Sequence, residues 1–291
     1  MTVVSDGACR RFIGRLTGGQ EGPSEMTGPA RFSRFPLVPI RTAMTASTLT
    51  NKSTPAELRV EDNVHDSLCL LADLYEYNHW TFSRVRPFLG DRVCDVGCGN
   101  GNFIQFLLDR KRVIGLDPFD PSLEVANRRF RDHTNVEFVC GTLADCPNEQ
   151  IPAESFDSVV CMRLLDSLEN DVESLSGMRR LCRSNGRVII VASAHMSAYG
   201  ELDRAVGHRR RYNRRSLRNA FESANLRVIH SSYINALGYF GWWFNSRILK
   251  RREIPAGPAH NLNRLAPCLD ALERLVPPPL GQSILMVGTP S

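Results

Sequence analysis

Three glycines and two acids carry the first chemical signal in the chain. Gly97, Gly99 and Gly101 follow a short apolar run, Val93 to Val96, that holds a single acid, Asp95. A second apolar run ends on Asp117. Glycines at alternate positions after a strand let backbone and a helix N-terminus come close to a ligand. An acid that closes the next strand, about 20 residues on, stands where ribose hydroxyls can be bound. The pattern predicts an adenosine-type cofactor crevice. A dinucleotide fingerprint, G-x-G-x-x-G/A, would need a small residue at position 102, where Asn102 stands. That argues against a nicotinamide cofactor.

From Asp95 the motif reads D-x-G-x-G-x-G. It resembles the first motif of class I S-adenosyl-L-methionine (SAM) methyltransferases. The resemblance implies an α/β fold: a doubly wound, mostly parallel seven-stranded sheet with helical cap insertions. It implies SAM as cofactor, with Asp95, Gly97, Cys98, Gly99 and Gly101 at its methionine end. Asp117 would take the ribose, Pro118 and Phe119 the adenine face, and Met162 would complete the set. In the family an acid just after the third strand often contacts the adenine amino group; here Thr142 holds that place, with Asp145 close by. Many relatives carry an N-V-L-E-H-like sequence after the fourth strand. Here Arg163, Asp166 and Ser167 replace its Asn, Glu and His.

A second block, HMSAYGELDRAVGHRRRY from His195 to Tyr212, resembles a bacterial subgroup of these enzymes that acts on small molecules, as does the later N-x-L-G…W. The resemblance spans roughly residues 65–291. If the acceptor must lose a proton, His208 is the first candidate base, because an unshifted imidazole titrates near neutrality. Tyr212, Asp203 and His195 are the alternatives, and a structural hydrogen bond within the turn is the competing role for His208. The arginines at 209–211, 214, 215 and 218 suit an acidic acceptor, a nucleic acid or local carboxylate pairs. No nucleic-acid reading module is recognisable, which disfavours that partner.

These residues need a scaffold. Strands are expected at Val93–Val96, up to Asp117, at Val136–Gly141, Phe156–Met162, Gly186–Ala192, Arg227–Ile234 and Ser283–Gly288. Helices fall between them: after the glycines (Phe103 to Leu108), to about Asp132, at 169–183, at Arg214–Ala224 with Asn213 as N-cap, and around Leu262–Leu275. This alternation specifies a parallel sheet covered on both faces. In the family the seventh strand lies antiparallel beside the sixth. The methyltransferase domain is read as 56–291, with acceptor-side caps at 56–89, 195–212 and 236–280. Tyr75, Tyr77, His79 and Trp80 either line the site or pack on the sheet edge. The turn 195–212 and the aromatic run Tyr239–Phe244 are expected to face the methyl group from opposite sides, with a small, largely apolar or aromatic acceptor between them.

Residues 1–55, rich in Gly, Pro, Ser, Thr and Arg, read as a disordered extension. Glu21 and Glu25 weaken a transit-peptide reading. The nine cysteines include no C-x-x-C pair, so neither a zinc site nor a disulfide framework is expected and a reducing cytoplasm is favoured. A net charge of +5 is too small to imply a polyanionic partner. No apolar run reaches the length of a membrane span, although Gly238–Phe244 beside Lys250, Arg251 and Arg252 resembles an interfacial segment. A pocket wall or a subunit contact would account for the same aromatics.

Overall fold

The computed structural model describes residue 70 and residues 72–291. The proposed extension and the first part of the 56–89 cap lie outside the described residues. The strands are β1 (Arg92–Val96), β2 (Arg112–Asp117), β3 (Val136–Cys140), β4 (Phe156–Met162), β5 (Cys182–Ser193), β6 (Leu226–Ile234) and β7 (Ser283–Pro290). The helices are α1 (Tyr75–Val85), α2 (Asp120–Arg129), α3 (Asp171–Leu181), α4 (Glu201–Ala205), α5 (Arg214–Ser223), α6 (Ala236–Trp243) and α7 (Ala256–Leu275).

The sheet runs β3-β2-β1-β4-β5-β7-β6, parallel except for β7, which lies antiparallel between β5 and β6. The continuous apolar run of β5 is what burial on both faces requires. Ile189 and Ile190 are both fully buried and point to opposite sides, one toward Trp80 and Leu123, the other toward Met178 and Phe221. Strand order reverses at β1, between β2 and β4, so a crevice opens beyond the C-terminal ends of those strands. Asn213 caps α5 as expected, its Oδ1 accepting from Ser216 N at 2.8 Å.

One element differs from expectation. The amphipathic run after the glycines closes only a 3-10 turn, Ile104–Phe106. Gln105 Nε2 donates to Asn102 O at 2.7 Å, the carbonyl an α-turn would offer to Phe106 N, and Phe106 N bonds Phe103 O instead. Ile104 and Leu107 are nevertheless buried, so the apolar pattern served packing rather than helix length.

Candidate active site

The crevice begins at the turn after β1. Gly97 and Gly101 have φ of 76° and 78°, a region that side chains with a Cβ rarely adopt. A Cβ at Gly97 would also collide with Leu164, so the segment after β4 packs directly on the turn. Several of the turn's N–H groups are already engaged within the protein. Gly97 N and Cys98 N donate to Leu116 O, and Gly99 N donates to Asp117 Oδ2 at 2.9 Å. Phe119 N donates to Asp117 Oδ1 at 2.9 Å. These two bonds fix the Asp117 carboxylate, whose remaining lone pairs face the crevice for hydroxyl donors. From α2, Arg129 Nη1 braces the turn through Asn100 O at 2.7 Å.

Gly97, Cys98, Gly99, Asp117, Pro118, Phe119, Thr142 and Met162 line a single crevice, and the sequence expectations placed them there together. Phe119 is exposed, as a stacking surface must be. Thr142 Oγ1 and N both donate to Asp145 Oδ2, at 2.8 and 2.7 Å, which holds that acid beside the crevice. Asp95 and Gly101 lie behind the wall. Gly101 packs on Phe130 of the α2 terminus. Asp95 is 2% exposed, and its Oδ1 has no hydrogen-bond partner among the described residues. Burial, then the charge of Asp117, pushes its carboxyl up to about 7. A cation bound through the turn would satisfy that oxygen.

Arg163, which the sequence reading treated only as a lost motif residue, is the main addition. It sits at φ 59° directly after β4, and its guanidinium lies 4.9 Å from the Tyr77 ring centroid and 5.4 Å from that of Phe103. Nη2 donates to Thr81 Oγ1 at 3.3 Å, whereas Nη1 is buried with no partner. No acid pairs with it among the described residues. A half-buried arginine without a carboxylate partner, held only by two rings and one hydroxyl, has donors to spare for an anion. Its only sequence signal was the replacement of an uncharged position by a cation. Of the α1 aromatics, Tyr77 lines the crevice, Trp80 is core, and Tyr75 and His79 pack on Phe106.

On the acceptor side the structure places three of the four candidate bases off the crevice lining. Tyr212 is buried and its hydroxyl donates to Asp171 Oδ2 at 2.8 Å; burial, then that bond, drives its pKa far upward. His195 packs between Tyr233 and Tyr239, away from the crevice lining, and burial lowers its pKa. Asp203 is fully buried and accepts from Arg211 Nε at 2.7 Å, Gly200 N at 2.9 Å and Trp242 Nε1 at 3.1 Å. Its oxygens are thus engaged in holding the cap together.

His208 alone of the four reaches the crevice. Its Nδ1 is 3.2 Å from Asp203 Oδ1, and its Nε2 is 3.8 Å from Asp166 Oδ2. Burial by itself would lower its pKa, but the Asp166 charge and the Asp203 hydrogen bond leave it raised. Its ring stacks on Trp242 at 6.5 Å between centroids. The 195–212 turn and the aromatic helix therefore pack against each other as one wall, not as opposing walls. A five-residue π turn, Phe244–Ile248, continues α6 and brings Ser246 to Asp203. Gly200 makes this approach feasible, since a Cβ there would lie 2.5 Å from Ser246 Oγ.

Beyond this wall the same crevice continues along Leu237, Phe240, Pro258 and Leu262 of α6 and α7. Its volume of ≈ 1630 Å³ exceeds the ~300–1,000 Å³ of a pocket for one small ligand, leaving room for a cofactor and an acceptor.

Comparison with solved structures fixes the fold. A chain of the complex between the Haloferax volcanii Trm112 methyltransferase activator and a methyltransferase superposes with a TM-score of 0.56 at 19% identity, covering 80% of this chain and 98% of that one. Geranyl diphosphate methyltransferase in complex with SAM gives 0.50 at 17% identity, covering 69% and 79%. This is the class I methyltransferase fold. Residues 94–190 of this methyltransferase fold match the family model described as a methyltransferase domain. Among curated proteins, a tRNA U34 carboxymethyltransferase of Campylobacter hominis is 30% identical over 115 residues, covering 38% of this chain and 39% of that protein. A malonyl-[acyl-carrier protein] O-methyltransferase of Halalkalibacterium halodurans is 27% identical over 100 residues, covering 33% and 37%. The chain thus spans about two fifths of the length of the curated relatives it matches. S-adenosylmethionine is the cofactor this methyltransferase crevice fits. The Asp117 carboxylate, fixed by two backbone N–H groups, and the Arg163 guanidinium stand on the crevice wall, with Asp95 behind the glycine turn.

Proposed function

We propose that this chain transfers the methyl group of SAM to a small, largely apolar acceptor held between α6 and α7. The observation that carries the reading is continuity. One crevice runs from Asp117 and the glycine turn, past Met162 and His208, to an apolar chamber at Leu237, Phe240 and Leu262. The matched relatives carry methyltransferase names with different acceptors, so the acceptor here is argued from the walls. Of the six arginines between 209 and 218, three are engaged locally, and Arg209, Arg215 and Arg218 are exposed. Arg210 pairs with Asp171, Arg211 with Asp203, and Arg214 lies over Tyr233. The apolar chamber lining is what favours a small molecule over a polynucleotide.

When bound, SAM supplies an activated methyl group on a sulfonium. The chain's part is orientation and exclusion of water. Asp117 would hold the ribose hydroxyls, Phe119 would cover the adenine and Arg163 would meet the carboxylate, with Asp95 supplying negative charge for the ammonium from behind the glycine turn. The α6–α7 walls seat the acceptor in line with the reactive carbon. Where the acceptor gives up a proton, the His208 imidazole would receive it, with Asp203 beside Nδ1 and Asp166 beside Nε2 holding the ring.

Incubation of the full chain with SAM and candidate metabolites, read by mass spectrometry, should show a gain of one CH2 on a small apolar acceptor. Transfer to tRNA with none to any small molecule would overturn the reading. Arg163→Met should weaken SAM binding by about 1.5–3 kcal/mol, the usual loss for hydrogen bonds to a charged group. Its melting temperature should stay near wild type, because its one side-chain bond, at 3.3 Å, is long. Unchanged affinity would remove Arg163 from the site.

The raised pKa of His208 sets the expected pH profile. Base-assisted transfer should climb as pH rises through the raised value, where the ring loses its proton. His208→Ala should lower kcat by about 10²–10⁴-fold and flatten that limb, with SAM affinity intact. An unaltered profile would leave orientation as the whole mechanism.

A further inference from the structure

The acceptor chamber does not end in a closed wall. Leu237, Phe240, Phe244 and Ile248 recur at helical spacing along α6 and its π turn, and all are 47–57% exposed. The first two line the crevice, and the last two carry the same stripe beyond it. Trp243 and Leu249 flank it at 38% and 45% exposure. A run of large apolar side chains in water is costly unless something covers it.

The charges at its end indicate what does. Lys250 takes a left-handed turn with φ 49° and stops the helix, and four cations gather within six residues: Arg247, Lys250, Arg251 and Arg252. Arg252 pairs with Glu201, but neither Lys250 nor Arg251 has an acid partner among the described residues. A helix C-terminus gains from one nearby cation and does not account for the rest. Exposed Trp and Phe with unpaired Lys and Arg beside them are the chemistry of a helix lying in the headgroup region of an anionic bilayer. No described helix is long and apolar enough to cross a membrane.

We propose that α6, its π turn and residues 249–252 form a docking surface for an anionic lipid membrane. Trp243, Phe244 and Ile248 insert among the acyl chains, Phe240 stands at the rim of the chamber, and Lys250 and Arg251 meet the headgroups. Because Leu237 and Phe240 belong to both the stripe and the crevice, docking sets the mouth of the chamber on the bilayer. An amphiphilic acceptor then enters from the membrane with its polar end toward His208. This last step rests on the methyl-transfer reading; the docking does not.

The test is co-sedimentation of the full chain with vesicles of phosphatidylglycerol and phosphatidylcholine, against phosphatidylcholine alone. The chain should pellet with the anionic vesicles and lose that binding at high salt. Lys250→Glu/Arg251→Glu should weaken partitioning by about tenfold or more, and Phe244→Glu/Ile248→Glu should abolish it. SAM calorimetry on each variant reports the fold and the cofactor site separately, so failure of one reading does not mimic failure of the other. Wild-type chain that stays in the supernatant would overturn the proposal. So would variants that pellet like wild type, or a dimer that the Phe244 and Ile248 changes dissociate without any vesicle binding.

Discussion

Asp203→Ala is expected to destabilise the fold by about 3–5 kcal/mol, the range for removing one partner of a buried ion pair. Its carboxylate accepts from Arg211, Gly200 and Trp242 and faces His208 Nδ1 at 3.2 Å. Without it, the buried Arg211 guanidinium keeps only Ala194 O at 2.9 Å, and a charge is left uncompensated. Asp203→Asn keeps the shape and part of the bonding, so its loss should be smaller. Burial pulls the Asp203 pKa up, but the His208 bond and the Arg211 charge leave it lowered. Its contribution is therefore present above the ordinary 3.8 and lost as pH falls through the lower folded value. His208 has the opposite sign. Its contribution is full below 6.5 and lost as pH rises through the raised value. Urea unfolding of both variants across pH checks this, and a loss under about 1 kcal/mol for the alanine would show that the cluster is not an anchor.

Asp117→Ala should leave the sheet intact and weaken SAM by about 1.5–3 kcal/mol, roughly tenfold to a hundredfold in Kd. Two effects add. The ribose hydroxyls lose their acceptor, and Gly99 N and Phe119 N lose the bonds that hold the turn and the adenine face in place. Asp117→Asn retains one acceptor oxygen but turns an NH2 toward a backbone donor, so it should recover only part of the affinity. Calorimetry that finds wild-type affinity for either variant would dismiss the ribose contact.

The cofactor half was legible because its signals are local. A glycine that needs φ above zero, an acid closing β2 and apolar runs of strand length are each written within a few residues. The strands were read to within a few residues for the same reason; β5 alone runs further, back to Cys182. The acceptor half was not legible, because there the roles depend on partners distant in the chain. His208 and Tyr212 look alike as candidates until Asp171 is found on the Tyr212 hydroxyl. Arg163 gains meaning only when Tyr77, Phe103 and Thr81 surround it without an acid. The failed helix after Phe103 turned on a single side-chain bond from Gln105, a competition that hydrophobic spacing cannot express.

Asp95 adds a pH dependence to the cofactor site. A carboxyl raised to about 7 takes up a proton on folding, so this group lowers stability as pH rises from 3.8 toward 7. A bound ammonium would relieve that cost. The measurement closest to the central claim is therefore calorimetric titration of the full chain with SAM, with its demethylated product and with NAD. The account predicts that SAM and the demethylated product each bind at one site per chain while NAD gives no heat. NAD binding, or no binding of SAM, would contradict it.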